Sequence, residues 1–383
     1  MDFSISSDQR LLVDATQQAV ERHIEPLLAK QPLDTPLTKD VSLEILKHGA
    51  NLGLTAARTS EELGGSGLSA LDYGLMCEQL PTAALFVIFP HETTVARLAL
   101  SDDRDIQEKY LSSLIEGKRI TCTAATEPGV GSNPKEIQAR LKDEGDHYLL
   151  NGRKMWVSNV TIADLVQVTS VLPQGDERKL VRILVDREES EYLAEEIPVV
   201  GMKQSHLGEV VFDNCRVPKS NLIQGGNDVA RTLTMTWLAN RPIIGLCAVQ
   251  MAQRAFDLAK DFAQNRSQFG RTIGEFQLIQ ERLADIETAI VSSRLLCYHA
   301  LHELDQGKRA NGVTAMAKRY AVSSCDNAIR LAMQVLGSMG LSEEVGLEQL
   351  ARNIRMLAIP DGTPEILTLI QGREITGKDA FRG

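Results

Sequence analysis

Leu165-Val166-Gln167-Val168 and Val181-Arg182-Ile183-Leu184-Val185 are short β-branched runs, with Tyr148-Leu149-Leu150 before them and Glu209-Val210-Val211-Phe212 after. Gly, Asp, Pro and Asn separate them. Runs of that length bounded by turn residues read as strands, so a small antiparallel β domain is predicted over residues 116–228. On the N-terminal side Leu43, Leu46, Ala50 and Leu54 are spaced three or four apart, the period of a helix. A glycine-rich break from Leu63 to Ser69 then precedes a second helix through Tyr73, Met76 and Leu80. From about Asn227 the helical period returns, and Leu283, Ile286, Ile290, Cys297, Leu301 and Leu304 form one apolar stripe of a long bundle helix. The chain reads as α, then β, then α, in segments 1–115, 116–228 and 229–383, an α+β protein without internal repeats.

Composition narrows the function. The 383 residues carry 41 Lys+Arg against 51 Asp+Glu, a net charge of -10, whereas a nucleic-acid binder needs clustered cations to neutralise phosphates. The acidic excess lies in the first segment, so an anionic ligand meets least repulsion at the last. Hydrophobic residues at 43% and charged residues at 24% are a globular mixture. The six cysteines, Cys77, Cys122, Cys215, Cys247, Cys297 and Cys325, show no CxxC pair and read as small buried hydrophobes in a reducing compartment. Met1 to Arg10 has neither a basic stretch nor an apolar core, so no secretory signal is expected. The apolar stretch Ala83 to Pro90 is far shorter than the roughly 18 residues of a membrane span. A soluble, cytoplasmic protein is expected. His299, His302 and Glu303 lack a third recurring ligand, so a helix surface is expected there and no metal site. Glu188-Glu189-Ser190-Glu191 with Glu195-Glu196 reads as a solvated loop.

Five stretches carry candidate chemistry. Thr126-Glu127-Pro128-Gly129-Val130-Gly131-Ser132-Asn133, after Ala124-Ala125, is a tight loop whose backbone N–H groups can approach a flat or anionic ligand. Asn151-Gly152 reads as a hairpin turn, and the strand after it places Trp156 and Ser158 on one face, an indole and a hydroxyl suited to an aromatic heterocycle. Arg266-Ser267-Gln268-Phe269-Gly270-Arg271 reads as the end of a helix begun near Asn240-Arg241-Pro242. Arg266 and Phe269 would share a helical face, Gly270 would stop the helix, and Phe276-Gln277 would open the next. Gln334-Val335-Leu336-Gly337-Ser338-Met339-Gly340 ends a helix in small residues. In Pro360-Asp361-Gly362-Thr363-Pro364-Glu365, Thr363 reads as an N-cap and Pro364 as the first helical residue, leaving Asp361 on the loop before that helix.

Together, in this order and at these separations, the five stretches resemble the acyl-CoA dehydrogenase family of flavoproteins from Phe3 to the last helix. Glu61-Glu62-Leu63-Gly64-Gly65-Ser66-Gly67-Leu68-Ser69 and Phe212-Asp213-Asn214-Cys215-Arg216-Val217-Pro218 add to the match. The resemblance implies an N-terminal helical domain, a central β-barrel-like domain, a C-terminal four-helix bundle, and FAD extended between the last two. It implies that Ala125, Thr126, Gly131 and Ser132 line flavin and thioester, and that Trp156 and Ser158 pack on and bond to the isoalloxazine. Arg266, Phe269, Gln277, Gln334 and Gly337 would hold the pyrophosphate and adenosine of a neighbouring subunit's FAD, with Thr363 and Glu365 following on the last helix. Arg241 would lie near the substrate and orient the catalytic carboxylate or the acyl group. A homodimer or homotetramer, an acyl-CoA or acyl-carrier thioester and an electron-transfer flavoprotein are the partners it implies.

The pattern breaks at the base. Most members of the family have Glu preceded by Tyr where this chain has Asp361 after Pro360, and others carry the base at the position of Asn240, whose amide cannot usefully accept a proton. Asp361 is the one candidate at either place. One methylene less withdraws the carboxylate by about 1 Å, a displacement that can cost about 100-fold in rate. Three readings follow: α,β-dehydrogenation of a thioester whose geometry suits Asp, a nitroalkane-oxidase-like proton abstraction on the same fold, or a non-catalytic FAD-binding protein. The flavin contacts Thr126, Trp156, Arg266 and Gln334 are all in place, which weighs against the third.

Overall fold

The computed structural model describes residues 4–101, 103–174, 177–223 and 229–380. Phe3 and Asn227, where the family resemblance and the last helical segment begin in the sequence, lie outside them. Ser6 starts α1 (Ser7–Ala19) with a capping box, its hydroxyl accepting from the Gln9 N–H while the Gln9 side chain accepts from the Ser6 N–H. A π turn and α2 (Glu25–Leu28) extend α1, followed by α3 (Lys39–Asn51), α4 (Ala70–Cys77), α5 (Thr82–Ala99) and α6 (Arg104–Ile115). Seven strands come next: β1 (Thr121–Ala124), β2 (Arg140–Asp143), β3 (His147–Ser158), β4 (Leu165–Gln174), β5 (Glu177–Asp186), β6 (Leu193–Glu196) and β7 (Leu207–Pro218). The chain then forms α7 (Val229–Asn265), the two-residue strands β8 (Ser267–Gln268) and β9 (Arg271–Thr272), α8 (Gln277–Asp305), α9 (Asn311–Leu336), α10 (Leu347–Leu357) and α11 (Pro364–Thr376). Two compact units result: Met1–Ser69, Ala83–Val199 and Lys203–Thr236 form one, and Ala70–Thr82, Val200–Met202 and Trp237–Gly383 the other.

In the first unit the four runs read from the sequence lie in β3, β4, β5 and β7. The sheet order is β1-β4-β2-β3-β7-β6 with β5 on β4, and it is mixed, not antiparallel as predicted. β1 pairs with β4 in parallel, and β2 touches β4 in parallel at Arg140 and Val171. The remaining ladders are antiparallel. β4 from Leu165 to Val171 and β5 from Val181 to Asp186 are buried on both faces, which explains their apolar runs. Val166, Val168, Ile183 and Val185 face the core of the sheet. Leu165 and Leu184 pack against Val95, Ile106 and Leu114 of the helices. Glu195 and Glu196, predicted in a solvated loop, form part of strand β6, where Glu196 accepts from Nδ1 of buried His206 at 2.6 Å.

His91 of α5 is wholly buried where helix meets sheet. Its Nε2 lies 2.9 Å from the Leu114 carbonyl, and its Nδ1 accepts from the Thr121 N–H at 3.2 Å. A carbonyl can only accept and an amide can only donate, so the ring is neutral with its proton on Nε2. Burial pulls its pKa from 6.5 down to about 4. Between those values the unfolded chain binds a proton that the fold refuses, so stability falls as pH drops through this window. The difference in urea-unfolding stability between the protein and His91→Gln is expected to shrink by about 3 kcal/mol from pH 7 to pH 4.

In the second unit the stripe read from the sequence is the packed face of α8, with Ile286, Ile290, Cys297 and Leu301 buried. All six cysteines are buried and free. No helix of the described residues is long and apolar enough to cross a membrane. Helix α7 begins at Val229, well before Asn240, so Asn240, Arg241 and Pro242 are interior to it. Pro242 removes one helical hydrogen bond without ending the helix.

Candidate functional site

The first group of site residues is built on the loop after β1. Glu127 and Val130 exchange backbone hydrogen bonds of 2.9 and 3.1 Å, closing a tight turn. The buried Glu127 carboxylate accepts from the N–H groups of Gln138 and Ala139 at 2.8 Å each, and from Nζ of Lys154 at 2.8 Å. Lys154 is fully buried on β3 and also donates to the Ala125 carbonyl at 3.0 Å. Burial lowers the Lys154 pKa, and the facing Glu127 works against that shift. A further bond, from the Met155 N–H to the Thr126 carbonyl at 3.0 Å, ties the loop to the same strand. Ala125 and Thr126 are half-buried, whereas Gly131 and Ser132 are exposed. A Cβ placed on Gly129 or Gly131 would meet nothing within 4 Å, so the outer backbone of the loop is open to a ligand.

On β3 the ladder to β7 slips between Lys154 and Val157. At that bulge Trp156 takes a left-handed backbone, φ 59°, and stays 53% exposed while Val157 enters the core. A bulky residue at positive φ is uncommon and marks a constrained site. Ser158 is half-buried. The predicted turn at Asn151-Gly152 is absent. Both residues lie inside β3, where a second slip occurs between Leu150 and Gly152, and Asn151 Oδ1 accepts from the Asn214 N–H at 2.9 Å. Gly152 adopts φ 154°, and a Cβ there would come within 2.5 Å of the Ala139 Cβ. The true reversal is Glu144-Gly145-Asp146, between β2 and β3.

The second group lies in the other unit. Thr363 caps α11, accepting from the Ile366 N–H at 3.4 Å, with Pro364 as the first helical residue. Glu365 is exposed, and its own backbone N–H together with the Thr363 hydroxyl holds its carboxyl below the ordinary value. Asp361 is half-buried with φ 53°. Arg241, expected to lie near the substrate and orient the catalytic carboxylate or the acyl group, donates from its Nε at 3.0 Å to the backbone carbonyl of Asp361. Arg241 is 3% exposed, and its Nη1 has no hydrogen-bond partner among the described residues. Asn240 beside it is buried.

Lys318 of α9 is buried as well, and sequence reasoning missed it. Its Nζ donates to the carbonyls of Pro360, of Gly362 at 2.7 Å and of Ala358 at 3.5 Å. The available signal was a cation inside the apolar spacing of Ala315, Ala321, Val322 and Cys325. Lys154, also missed, sits on the alternation of a strand and gave less warning.

Arg266 lies outside α7, which ends at Asn265, and does not share a helical face with Phe269. Ser267-Gln268 and Arg271-Thr272 pair as a hairpin whose two-residue turn is Phe269, φ 51°, and Gly270, φ 80°. Positive φ at both positions is the turn that matches strand twist, so Gly270 belongs to the hairpin and not to a helix stop. Phe269 is 94% exposed, and Arg266 is exposed. Gln277 opens α8 as predicted, with Phe276 as its N-cap. Gln334 and Gly337 line one groove of about 380 Å³ together with Arg330 and Ser338. Among the described residues six non-glycines have left-handed backbones, and Trp156, Phe269 and Asp361 are three of them. Among the described residues no group of three or more His, Cys, Asp or Glu is arranged so that it could hold a metal ion.

Comparison with known proteins accounts for nearly the whole chain. The N-terminal domain of acyl-CoA dehydrogenase matches residues 6–118, the middle domain residues 122–215 and the C-terminal domain residues 229–376. Benzylmalonyl-CoA dehydrogenase of Aromatoleum aromaticum is 30% identical, over 98% of this chain and 100% of its own. The caffeyl-CoA reductase-Etf complex subunit CarC of Acetobacterium woodii is 29% identical, over 85% of this chain and 88% of its own. The solved structure of PigA with FAD and proline superposes with a TM-score of 0.86 at 26% identity, covering 98% of this chain and 99% of that one. The chain belongs to the acyl-CoA dehydrogenase family, the FAD-dependent oxidoreductases that act on CH–CH bonds.

Proposed function

We propose that the protein dehydrogenates an acyl thioester, as acyl-CoA or acyl-carrier, between its α and β carbons, with Asp361 as the base. The observation that carries this reading is the left-handed backbone of Asp361 next to the buried Arg241. Strain at a non-glycine residue persists only where its surroundings over-determine it, and such positions cluster at functional sites. The unpartnered Nη1 of Arg241 suits a carbonyl or anionic group of the substrate. In this reading Asp361 takes the α proton, and Arg241 and Ser132 position the substrate.

FAD fits the residues present, because the open backbone at Gly129 and Gly131 belongs to a loop bonded to the strand that carries the exposed indole of Trp156. When bound, it supplies the acceptor for the hydride that leaves the β carbon. Ala125, Thr126, Gly131, Ser132, Trp156 and Ser158 would hold its ring end, and Arg266, Phe269, Gln277, Gln334 and Gly337 the pyrophosphate and adenosine of a neighbouring subunit's FAD, with Thr363 and Glu365 following on the last helix. The division of labour follows segments 1–115, 116–228 and 229–383. A homo-oligomer of two or four subunits, an electron-transfer flavoprotein as acceptor and a cytoplasmic location complete the proposal.

The test is anaerobic bleaching of the bound flavin by a panel of acyl-CoA thioesters. Reduction by at least one thioester is expected. Reduction by nitroalkanes and by no thioester would replace the proposal with nitroalkane-oxidase-like chemistry.

A further inference from the structure

We infer that Lys318 is a positioning residue whose ammonium holds the segment Ala358–Gly362 in the backbone shape that carries Asp361. The inference rests on the proposed role of Asp361 for its catalytic consequence and on geometry alone for the rest. Lysines on a helix ordinarily run their stems along the surface and leave the charge in water. Lys318 does the opposite. It is 1% exposed, and its three donors go to three carbonyls of one five-residue stretch, those of Ala358, Pro360 and Gly362. The Ala358 carbonyl belongs to the C-cap of α10, one of the acceptors that a helix end leaves without a partner.

The conformation of Asp361 is set by the two peptide planes on either side of it, because those planes are rigid and only φ and ψ turn between them. Lys318 holds the carbonyl of the plane before Asp361, that of Pro360. Arg241 holds the carbonyl of the plane after it, that of Asp361 itself. Lys318 then holds the next carbonyl, that of Gly362, at 2.7 Å. Three successive carbonyls fastened by two buried cations thus hold the left-handed φ of 53° at Asp361. Burial draws the Lys318 pKa down to about 7, with Asp361 opposing the shift and Arg241 adding to it. A cation so disfavoured by desolvation is retained where its hydrogen bonds compensate.

Hydrogen exchange on the FAD-loaded protein decides the matter. In Lys318→Met, the amides of Ile359, Asp361, Gly362 and Thr363 are expected to exchange at least about tenfold faster, while those of α8 and of the first turns of α9 keep their protection. Lys318→Gln keeps two donors and should fall between, and it sustains the comparison if the Met variant does not fold. Flavin bleaching by the best thioester should slow about 100-fold in Lys318→Met, through its limiting rate and not through half-saturation. Unchanged exchange over 359–363 in both variants would overturn the inference. So would faster exchange with an undiminished bleaching rate, provided Asp361→Asn stops bleaching. If Asp361→Asn bleaches as fast as the parent, the base assignment fails by itself, and the exchange comparison still judges Lys318.

Discussion

Asp361→Asn is expected to slow anaerobic flavin bleaching by acyl-CoA by about 10²–10⁴-fold, the usual worth of a positioned general base. The amide has the same size as the carboxylate but cannot usefully take a proton. The backbone around it should persist, because Lys318 and Arg241 donate to main-chain carbonyls of this segment, which the substitution leaves in place. The variant should therefore remain a yellow holoprotein with an unaltered flavin spectrum and an unaltered unfolding midpoint. Those two controls separate a lost base from a lost fold. A variant reduced as fast as its parent removes Asp361 from the mechanism.

Lys154→Met is expected to cost about 3–5 kcal/mol in chemical unfolding of the unit that holds the sheet, the range for breaking one partner out of a buried ion pair. Glu127 would keep its bonds from the Gln138 and Ala139 N–H groups but lose the buried Nζ at 2.8 Å. The Ala125 carbonyl would lose its lysine donor at the same time. Because the pair clamps the loop 125–133 to β3, the variant should also release FAD more readily on dilution. Replacing both partners by apolar residues, Lys154→Met with Glu127→Leu, should restore part of the loss, since neither charge is then left buried alone. A destabilisation under about 1 kcal/mol in the single variant would mean that Glu127 is satisfied by backbone donors alone.

Much of this molecule was readable residue by residue. The α, β, α order followed from period, because a helix on a core repeats its apolar residues every three or four positions and a buried strand shows a short β-branched run. The stripe on α8, the Thr363-Pro364 start of α11 and the six buried cysteines are of that kind. So is Asp361, which a cap and a proline left on a loop. The errors fall where the deciding partner is distant in sequence. Asn151-Gly152 has the composition of a turn, yet pairing with Asn214, some sixty residues away, makes it a bulge. Nothing in Thr121–Ala124 announces that it will lie parallel to Leu165–Val168. Arg266 and Phe269 look helical by spacing, but Gly270 lets the chain turn into a hairpin instead.

The sequence by itself determined the α, β, α order of the chain, the family, and the residue types offered to a flavin and a thioester. Only the tertiary structure decided which of these are held and by what. Lys154 and Lys318 are ordinary lysines in the chain, and each becomes a buried clamp because folding brings a carboxylate or three carbonyls to its ammonium. Periodicity records only whether a side chain faces apolar surroundings. It carries no record of the acceptors, far along the chain, that a buried cation must find before it can leave water.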